Sequence, residues 1–595
     1  MDSRWSLPPT AIGAGNERIM IALRAVIVVI IAIALPFMLG EFWAYQLGLY
    51  ALYAVAAVGV GLCWGQAGFL PLGQALFFGL AAYLSGLAFV AFSDSPIVAV
   101  LALPLSAIVA GVFAYLIGIV IFRRSGESGA YFSMITLALA LLAFQIATSW
   151  NSVTGGFNGL KGIPGLPGLD EISDVYYVAA SALLVVLALA AWLYNAPIGV
   201  LWRALAQNER RLKLFGFDTD QLKAVAFGVS GLMAGIGGAI YAPQQGIVTP
   251  QVIGFGLSAD LVIWAAVGGR ASLVGPVIGT LLVGSLTAQL RDTVPFWEVL
   301  MALFFIAIVL VFPRGIAGLA DPILRRFPQR KRAHTELAAP DEVASRPPTK
   351  LALDGVSVHV GEVTILNELS LDFNEAGIFC VIGPNGAGKT SMFNAVSGEL
   401  AMASGSIDLG GLKISGLAPN RVSGLGVARK LQIPSVFPDL SIADNLAIAL
   451  WSGRARKLSL FDPRLRRWTS PMLKELQSRY PFLAIGARNA GELSHGEQQI
   501  LELAMALLTE PRVLLLDEPC AGLSPEETTA VMELIRWAAG RLGGSIVIIE
   551  HDMSLVKELA QIVYVLHNGA LLAKGSVAAI QADPAVRAVY VGSGK

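Results

Sequence analysis

Up to residue 312 the chain consists of apolar runs about twenty residues long, parted by short loops. A helix needs ~20 mostly apolar residues to cross the hydrocarbon core of a bilayer, so these runs restrict the first half to membrane helices. Candidate spans are roughly 20–39, 44–63, 71–92, 96–121, 130–150, 175–194, 224–244, 252–268, 272–290 and 296–312. Beyond residue 330 the character changes: all five His and most of the charged residues lie there. Over the whole chain 14% of residues are charged, against the ~25% usual for soluble proteins. That average blends a membrane-like half with a soluble one.

Basic residues orient the spans. Arg123-Arg124 flank one loop, and Arg203, Arg210, Arg211, Lys213 and Lys223 crowd another, so both face the cytoplasm by the positive-inside rule. Asn151–Asp174 has Lys161 as its only basic residue and is expected outside. If the soluble half is cytoplasmic, the span ending at Phe312 must exit inward. The count then closes at ten spans, with residues 252–290 crossing twice around a break at Gly268-Gly269-Arg270. Eight spans, with segments near 63–74 and 252–268 re-entrant, is the alternative. Arg18 and Arg24 precede the first apolar run without a small-residue cleavage site, so Met20–Leu39 reads as a retained helix behind a cytoplasmic tail of residues 1–19.

Two features of this half are polar. Cys63–Gln74 is uncharged yet rich in Gly and Pro, with Gln66 and Gln74 inside it. A helix broken at membrane depth exposes backbone groups that only protein or a water-filled path can satisfy; a tight connection between two spans is the plainer reading. Asp260 falls near the middle of a span, where an unpaired charge costs at least ~2.5 kcal/mol. It is paired, lines a path, or marks a span drawn wrongly. Gln66, Gln74 and Asp260 are therefore the candidate path residues.

Forty-two Lys+Arg balance 42 Asp+Glu, which speaks against nucleic acid as a main partner. Cys63, Cys380 and Cys520 lack metal-ligand or disulfide spacing and suit a reducing cytosol. Residues 314–349, with Arg325-Arg326, Gln329–Arg332 and Pro340–Pro348, read as a flexible basic tether that keeps residues 350–595 beside the permease domain of residues 20–313.

From Leu351 short β-rich runs alternate with helices, the pattern of a parallel sheet with crossovers. Phe379–Ile382 reads as a strand leading into Gly383-Pro384-Asn385-Gly386-Ala387-Gly388-Lys389-Thr390, a complete GxxxxGK[ST] phosphate loop, followed by Ser391. Its backbone N–H groups and the next helix's N-terminus cradle phosphates, Lys389 reaches the β/γ-phosphates, and the Thr390 hydroxyl is placed for Mg²⁺. Val513–Leu516 then reads as a buried strand ending in Asp517, to orient Mg²⁺ or its water, and Glu518, to accept a proton from an attacking water.

Between these motifs stands Leu493-Ser494-His495-Gly496-Glu497. Together the three resemble the ATP-binding cassette (ABC) ATPases. The resemblance implies that the pentapeptide closes over ATP held by the phosphate loop of a second cassette. It implies that Gln432, in Arg429–Pro434, contacts Mg²⁺ and communicates with the membrane subunit, and that His551 contacts the γ-phosphate. Arg429–Phe437, Leu493–Gln499 and Val565–Gly569 look like the urea-type ATPases of the branched-chain amino-acid group. Val360 stands where that group has an aromatic for adenine, and Ser524 where many cassettes have Asp.

The membrane half resembles the permease subunits of the same importers through Tyr131–Leu137, Thr154-Gly155-Gly156, Val267–Arg270 and Phe312–Gly315. Leu201–Arg210, including Arg203, Asn208, Glu209 and Arg210, is similar to their cytoplasmic coupling helix, within a loop of about residues 196–223; the resemblance implies that this short charged segment docks into a cleft on an ATPase, and the plainer reading is a basic loop that only sets topology. The fold class expected is a polytopic α-helical membrane domain joined to an α/β P-loop ABC ATPase domain with a helical subdomain. The resemblance implies a fused permease–ATPase subunit of an inner-membrane ABC importer, using ATP and Mg²⁺ to take in a branched-chain or related amino acid, urea or a short amide. It would pair with a second permease and a second ATPase, non-identical or a second copy, and with an external solute-binding protein. An ABC exporter half-transporter and an ATP-driven membrane regulator share the ATPase motifs, but not the permease ones.

Overall fold

The computed structural model describes residues 33–125, 129–169, 172–291, 293–312, 314–320, 336–340, 350–374 and 376–591. The first expected span therefore lies outside the described residues except for 33–39, as does most of the 314–349 tether. In chain order the main helices of the first part are α1 (Glu41–Gly61), α2 (Gln74–Ala91), α3 (Pro96–Ser125), α4 (Gly129–Ser149), α5 (Ile172–Asn195), α6 (Pro197–Gln207), α7 (Glu209–Leu214), α8 (Thr219–Gln245), α9 (Phe255–Gly268), α10 (Gly275–Arg291) and α11 (Trp297–Val311).

The chain forms two compact units. One takes Met1–Tyr194 and Asp220–His334; the other takes Asn195–Thr219 and Thr335–Lys595. The loop of residues 196–223, expected as the coupling segment that docks on the second half of the chain, packs for most of its length with residues 335–595. The reason is its apolar face: Ile198, Val200, Leu201, Trp202 and Leu205 of α6 are buried against Ile442–Trp451 and residues 457–467.

In the first unit, six helices among the described residues are long and apolar enough to cross a membrane: α1 with its extension to Gln66, α2, α3, α4, most of α5, and α8. Phe255–Gly268, Gly275–Leu290 and Val299–Ile308 are shorter apolar helices. The two faces of α3 show how such a helix is used. Leu101, Leu105, Ile108, Val112, Leu116 and Val120 form an exposed stripe suited to lipid. The opposite face is made of small residues that pack on the glycines of α8: a Cβ on Gly231 would lie 2.4 Å from Ala114 Cβ, and one on Gly235 2.9 Å from Ala107 Cα. Without water to drive helices together, such close van der Waals approach is the main source of association.

Cys63–Gln74 begins as helix. A π-helical turn carries α1 on through Leu62–Gln66, and the chain becomes irregular only between Ala67 and Gly73. The side-chain amide nitrogens of both glutamines and the Leu70 carbonyl find partners in surrounding protein, while Gln66 Oε1 and Gln74 Oε1 are buried without one. Gln66 Nε2 donates to Ala271 O at 2.9 Å, Gln74 Nε2 to Ser230 O at 2.9 Å, and Ser133 Oγ to Leu70 O at 2.7 Å. The glycines permit this approach: a Cβ on Gly65 would sit 1.9 Å from Arg270 O, and one on Gly73 2.1 Å from Thr136 O. The helix break foreseen at Gly268-Gly269-Arg270 falls between α9 and α10, where Gly269 has φ +113° and Arg270 stacks on Trp64 at 4.4 Å.

The second unit is built on two sheets. Its strands include β1 (Leu351–Val360), β2 (Val363–Phe373), β3 (Gly377–Ile382), β4 (Ser404–Leu409), β5 (Leu412–Lys413), β6 (Val427–Lys430), β7 (Val513–Asp517), β8 (Ser545–Ile549), β9 (Ile562–His567) and β10 (Ala570–Gly575). The six-stranded sheet has the order β10-β9-β3-β8-β7-β6 and is parallel except for the β9–β10 pair. The four-stranded sheet, β2-β1-β4-β5, is antiparallel. Leu353, Val356, Leu366, Phe373, Phe379 and Tyr564 belong to the core they share. Helices α12 (Lys389–Val396), α13 (Ile442–Trp451), α14 (His495–Leu508) and α15 (Pro525–Leu542) complete the parts that carry functional residues. Every residue of β3, β7 and β8 is buried, as expected for parallel strands covered on both faces.

Gly65→Ala is expected to push Gln66 off Ala271. Overpacking of this kind costs about 1–3 kcal/mol, read as a lower melting temperature of the detergent-purified chain.

Candidate functional site

Strand β3 ends at Ile382, and the phosphate loop turns directly from it into α12. Three glycines make the turn possible. Gly383, Gly386 and Gly388 have φ of +154°, +82° and +98°, and a Cβ on Gly383 would stand 2.3 Å from Leu566 O. Lys389 folds over the loop, its Nζ donating to Gly383 O at 2.8 Å and Pro384 O at 3.0 Å. Burial lowers the Lys389 pKa, while the nearby carboxylates of Glu518 and Asp517 raise it.

Asn385–Ser391 line a cavity of about 540 Å³ together with Val363, Thr364, Ile365, Gln432, Glu518 and His551. Within it Glu518 is held from two sides: Gln432 Nε2 donates to Oε2 at 2.7 Å, and His551 Nε2 lies 2.7 Å from Oε1. The Glu518 backbone has φ +44°, a left-handed conformation that costs a non-glycine residue about 1–2 kcal/mol. It is fixed there by Glu518 N–H donating to Ile549 O at 3.0 Å. Strain of this kind gathers at functional sites that over-determine it. Val360 is exposed and pairs with Val363 across the β1–β2 hairpin. It is Val363, not Val360, that lines the cavity.

Thr390, Gln432 and Asp517 share the wall of an adjoining recess of about 520 Å³. Hydroxyl, amide and carboxylate oxygens are the hard donors that Mg²⁺ takes beside nucleotide phosphates, so these residues fit that ion. Asp517 is buried, which raises its pKa, and Arg429 opposes the rise from 3.6 Å.

Leu493–Glu497 lies elsewhere. Ser494 caps α14: its Oγ accepts from Glu497 N at 3.2 Å, and Glu497 Oε2 accepts from Ser494 N at 2.9 Å. This capping box holds the pentapeptide rigid at a helix N-terminus. None of the five residues lines the phosphate-loop cavity. Ser524 caps α15 in the same way, with Glu527.

The loop that follows α5 meets the cassette through charges. Asn208 Nδ2 donates to Ser435 Oγ at 2.9 Å and its Oδ1 accepts from Arg211 N at 2.9 Å; Gln207 Oε1 accepts from Asp439 N at 2.9 Å. Arg210 pairs with Glu399. Arg211 is buried, donates to Arg429 O at 2.6 Å and pairs with Glu502 at 3.2 Å. Lys430, also buried, lies 4.0 Å from the same Glu502, and Arg429 pairs with Glu399 at 2.6 Å as well as with Asp517. A chain of ion pairs thus runs from the loop to the Asp517 carboxylate.

Residues 42–312 match the family described as "Branched-chain amino acid transport system / permease component", and residues 366–521 match "ABC transporter". The high-affinity branched-chain amino acid transport ATP-binding protein LivG of Salmonella typhimurium is 35% identical over 250 residues, 41% of this chain and 97% of LivG. The corresponding protein BraF of Pseudomonas aeruginosa is 33% identical over 256 residues, 41% of this chain and 97% of BraF. The chain belongs to the branched-chain amino acid family of ABC transporters. A solved ATP-binding cassette of an ABC transporter, in its ADP conformation, is 25% identical, covers 41% of this chain and 99% of its own, and has a TM-score of 0.36.

This ABC transporter chain is therefore a membrane-embedded permease domain fused to an ATP-hydrolysing, nucleotide-binding domain. The structure brings together Asn385–Ser391, Gln432, Glu518 and His551. Of the coupling-loop residues, Asn208 and Arg210 touch the cassette, whereas Glu209 accepts from Thr219 Oγ1 at 3.0 Å and pairs with Lys213 at 3.1 Å, within the loop. Arg203 O accepts from Gln207 Nε2 at 3.2 Å. In the permease unit, Asp260 lines a cavity; Gln66 and Gln74 are not on its wall. Sequence reasoning missed Arg211, Glu399, Glu502 and Glu550. Arg211 looked like one more basic loop residue, and nothing in its spacing signals burial.

Arg211→Ala leaves Glu502 short of a buried partner and is expected to cost about 3–5 kcal/mol, read as a fall in the cassette's melting transition. Glu550 yields a pH prediction. Burial pushes its carboxyl up to about 7, against the backbone N–H groups of Cys520 and His551, which lower it. The fold therefore favours the protonated form. That contribution is complete below the unfolded value near 4.5 and is lost as pH rises through about 7. Glu550→Gln should thus raise the melting temperature over wild type more at pH 8 than at pH 5.

Proposed function

We propose that the chain is one fused permease–ATPase subunit of an importer in the bacterial inner membrane, driven by ATP and Mg²⁺. Its solute is a branched-chain or related amino acid, urea or a short amide. The observation that carries this reading is the seating of the loop after α5 on the cassette, with Arg211 against the strand that leads into Gln432 and Arg429 reaching Asp517. A loop between membrane helices fixed to the nucleotide site is what ATP-driven transport needs. The relatives LivG and BraF bear names that specify branched-chain amino acids, which puts those first among the solutes.

In this reading Gly383–Ser391 bind the phosphates, with Lys389 on the β/γ-phosphates. Thr390, Gln432 and Asp517 hold Mg²⁺, which when bound neutralises phosphate charge. Glu518 accepts a proton from the attacking water, and His551, 2.7 Å from its carboxylate, orients it and contacts the γ-phosphate. Leu493–Glu497 complete the site of a second cassette, which supports a complex of two permease and two ATPase domains. The partner is a non-identical subunit in the first instance, a second copy in the second. An external solute-binding protein delivers the solute.

Uptake of labelled leucine, urea and acetamide into proteoliposomes holding the purified complex tests the reading. ATP-dependent uptake of at least one is expected, falling by at least about 100-fold in Glu518→Gln, the scale of a lost general base. Glu518-dependent efflux, or ATP turnover without solute movement, would overturn it.

A further inference from the structure

Helix α9 carries one charged residue in its fourteen, Asp260. The side chain is exposed rather than packed, and no Lys, Arg or His among the described residues pairs with it. It lines a cavity of about 620 Å³ whose wall includes Tyr50, Tyr53, Tyr241 and Trp264. These rings form one cluster: Tyr53 lies 5.7 Å from Trp264 and 6.0 Å from Tyr241, centroid to centroid, and Tyr50 lies 6.5 Å from Trp264. Gly284 makes room for it, since a Cβ there would stand 2.5 Å from Tyr50 Cδ1.

A carboxylate is retained in an apolar helix where a cation answers it, and aromatic faces attract organic ammonium groups. An inorganic divalent cation fits poorly, because Ca²⁺ and Mg²⁺ take about six or more oxygens and Asp260 is the only carboxylate on this wall among the described residues. The volume is that of a small-molecule site, and Leu49, Leu141, Phe144 and Val252 supply apolar surface beside the carboxylate.

We infer that this cavity binds a primary ammonium group, with Asp260 as its counter-ion and Tyr53, Tyr241 and Trp264 as its aromatic wall. A site for an ammonium group favours the amino acids of the importer reading over neutral urea and short amides. This inference rests on the importer reading above and narrows it.

The test is uptake of labelled leucine and urea by proteoliposomes holding the complete complex with its solute-binding protein, for wild type, Asp260→Asn, Asp260→Glu and Trp264→Leu. All variants share one binding protein, so differences among them belong to the permease. Wild type is expected to take up leucine and not urea. Asp260→Asn should lose at least tenfold of that uptake while copurifying with the same partners, Asp260→Glu should keep at least a third of it, and Trp264→Leu should lose several-fold. Leucine uptake unchanged in Asp260→Asn would overturn this inference and leave the importer reading standing. So would wild-type uptake of urea without leucine, or a complex that dissociates in Asp260→Asn, which would make Asp260 the partner subunit's counter-ion. Failure of wild type to move any solute would sink both.

Discussion

Glu502 sits at full burial in α14 and is approached by two cations, Arg211 from the loop after α5 and Lys430 from the end of β6. Charges withdrawn from water are tolerated only while each has its partners, and removing one leaves another exposed to a low-dielectric interior. The loop, the strand leading to Gln432, and the helix that begins at the Leu493–Glu497 pentapeptide are therefore bound by a shared electrostatic requirement. None of the three can shift far alone without uncovering a buried charge.

The same requirement reaches the nucleotide site. Arg429 contacts Asp517 and Glu399, Glu399 also holds Arg210, and the Arg429 carbonyl accepts from Arg211. An ion that drew on the Asp517 carboxylate would alter what Arg429 sees, and Arg429 is fixed to the loop through two of its groups. The cassette thus carries a contiguous set of ion pairs between its hydrolytic edge and the segment that continues into α5 and α8. Glu518 is the neighbouring element under strain, held at a positive φ by β8 while its carboxylate is shared between Gln432 and His551. Tight definition there is consistent with the general-base role proposed for Glu518.

In the permease unit, glycine plays the part that charge plays in the cassette. Gly65, Gly73, Gly231, Gly235, Gly268 and Gly279 each stand where a Cβ would strike a neighbouring helix or loop. Helices in lipid are held by such close approach, and around the irregular stretch between α1 and α2 glycines let backbone carbonyls come near. Asp260 departs from this pattern, as a charge facing a cavity in an otherwise apolar helix.

Much of this was readable in the linear chain. Apolar runs of helical length marked the candidate membrane helices, and the phosphate loop, the Asp517-Glu518 pair and the pentapeptide take their local shape from local backbone rules: glycines for φ, a buried strand before a carboxylate, a Ser–Glu box at a helix start. The orientation count set by basic residues also marked the break at Gly268–Arg270. Other features have no local signature. That Arg211 is buried while its neighbour Arg210 is half exposed, that Val363 and not Val360 meets the nucleotide cavity, and that Gln66 and Gln74 bond to backbone carbonyls while Asp260 faces open space: each depends on which surfaces meet across hundreds of residues. Sequence determined the chemical groups and the elements that carry them, because those follow from neighbours along the chain. Tertiary structure alone decided their partners, because burial and charge pairing are properties of the assembled interior.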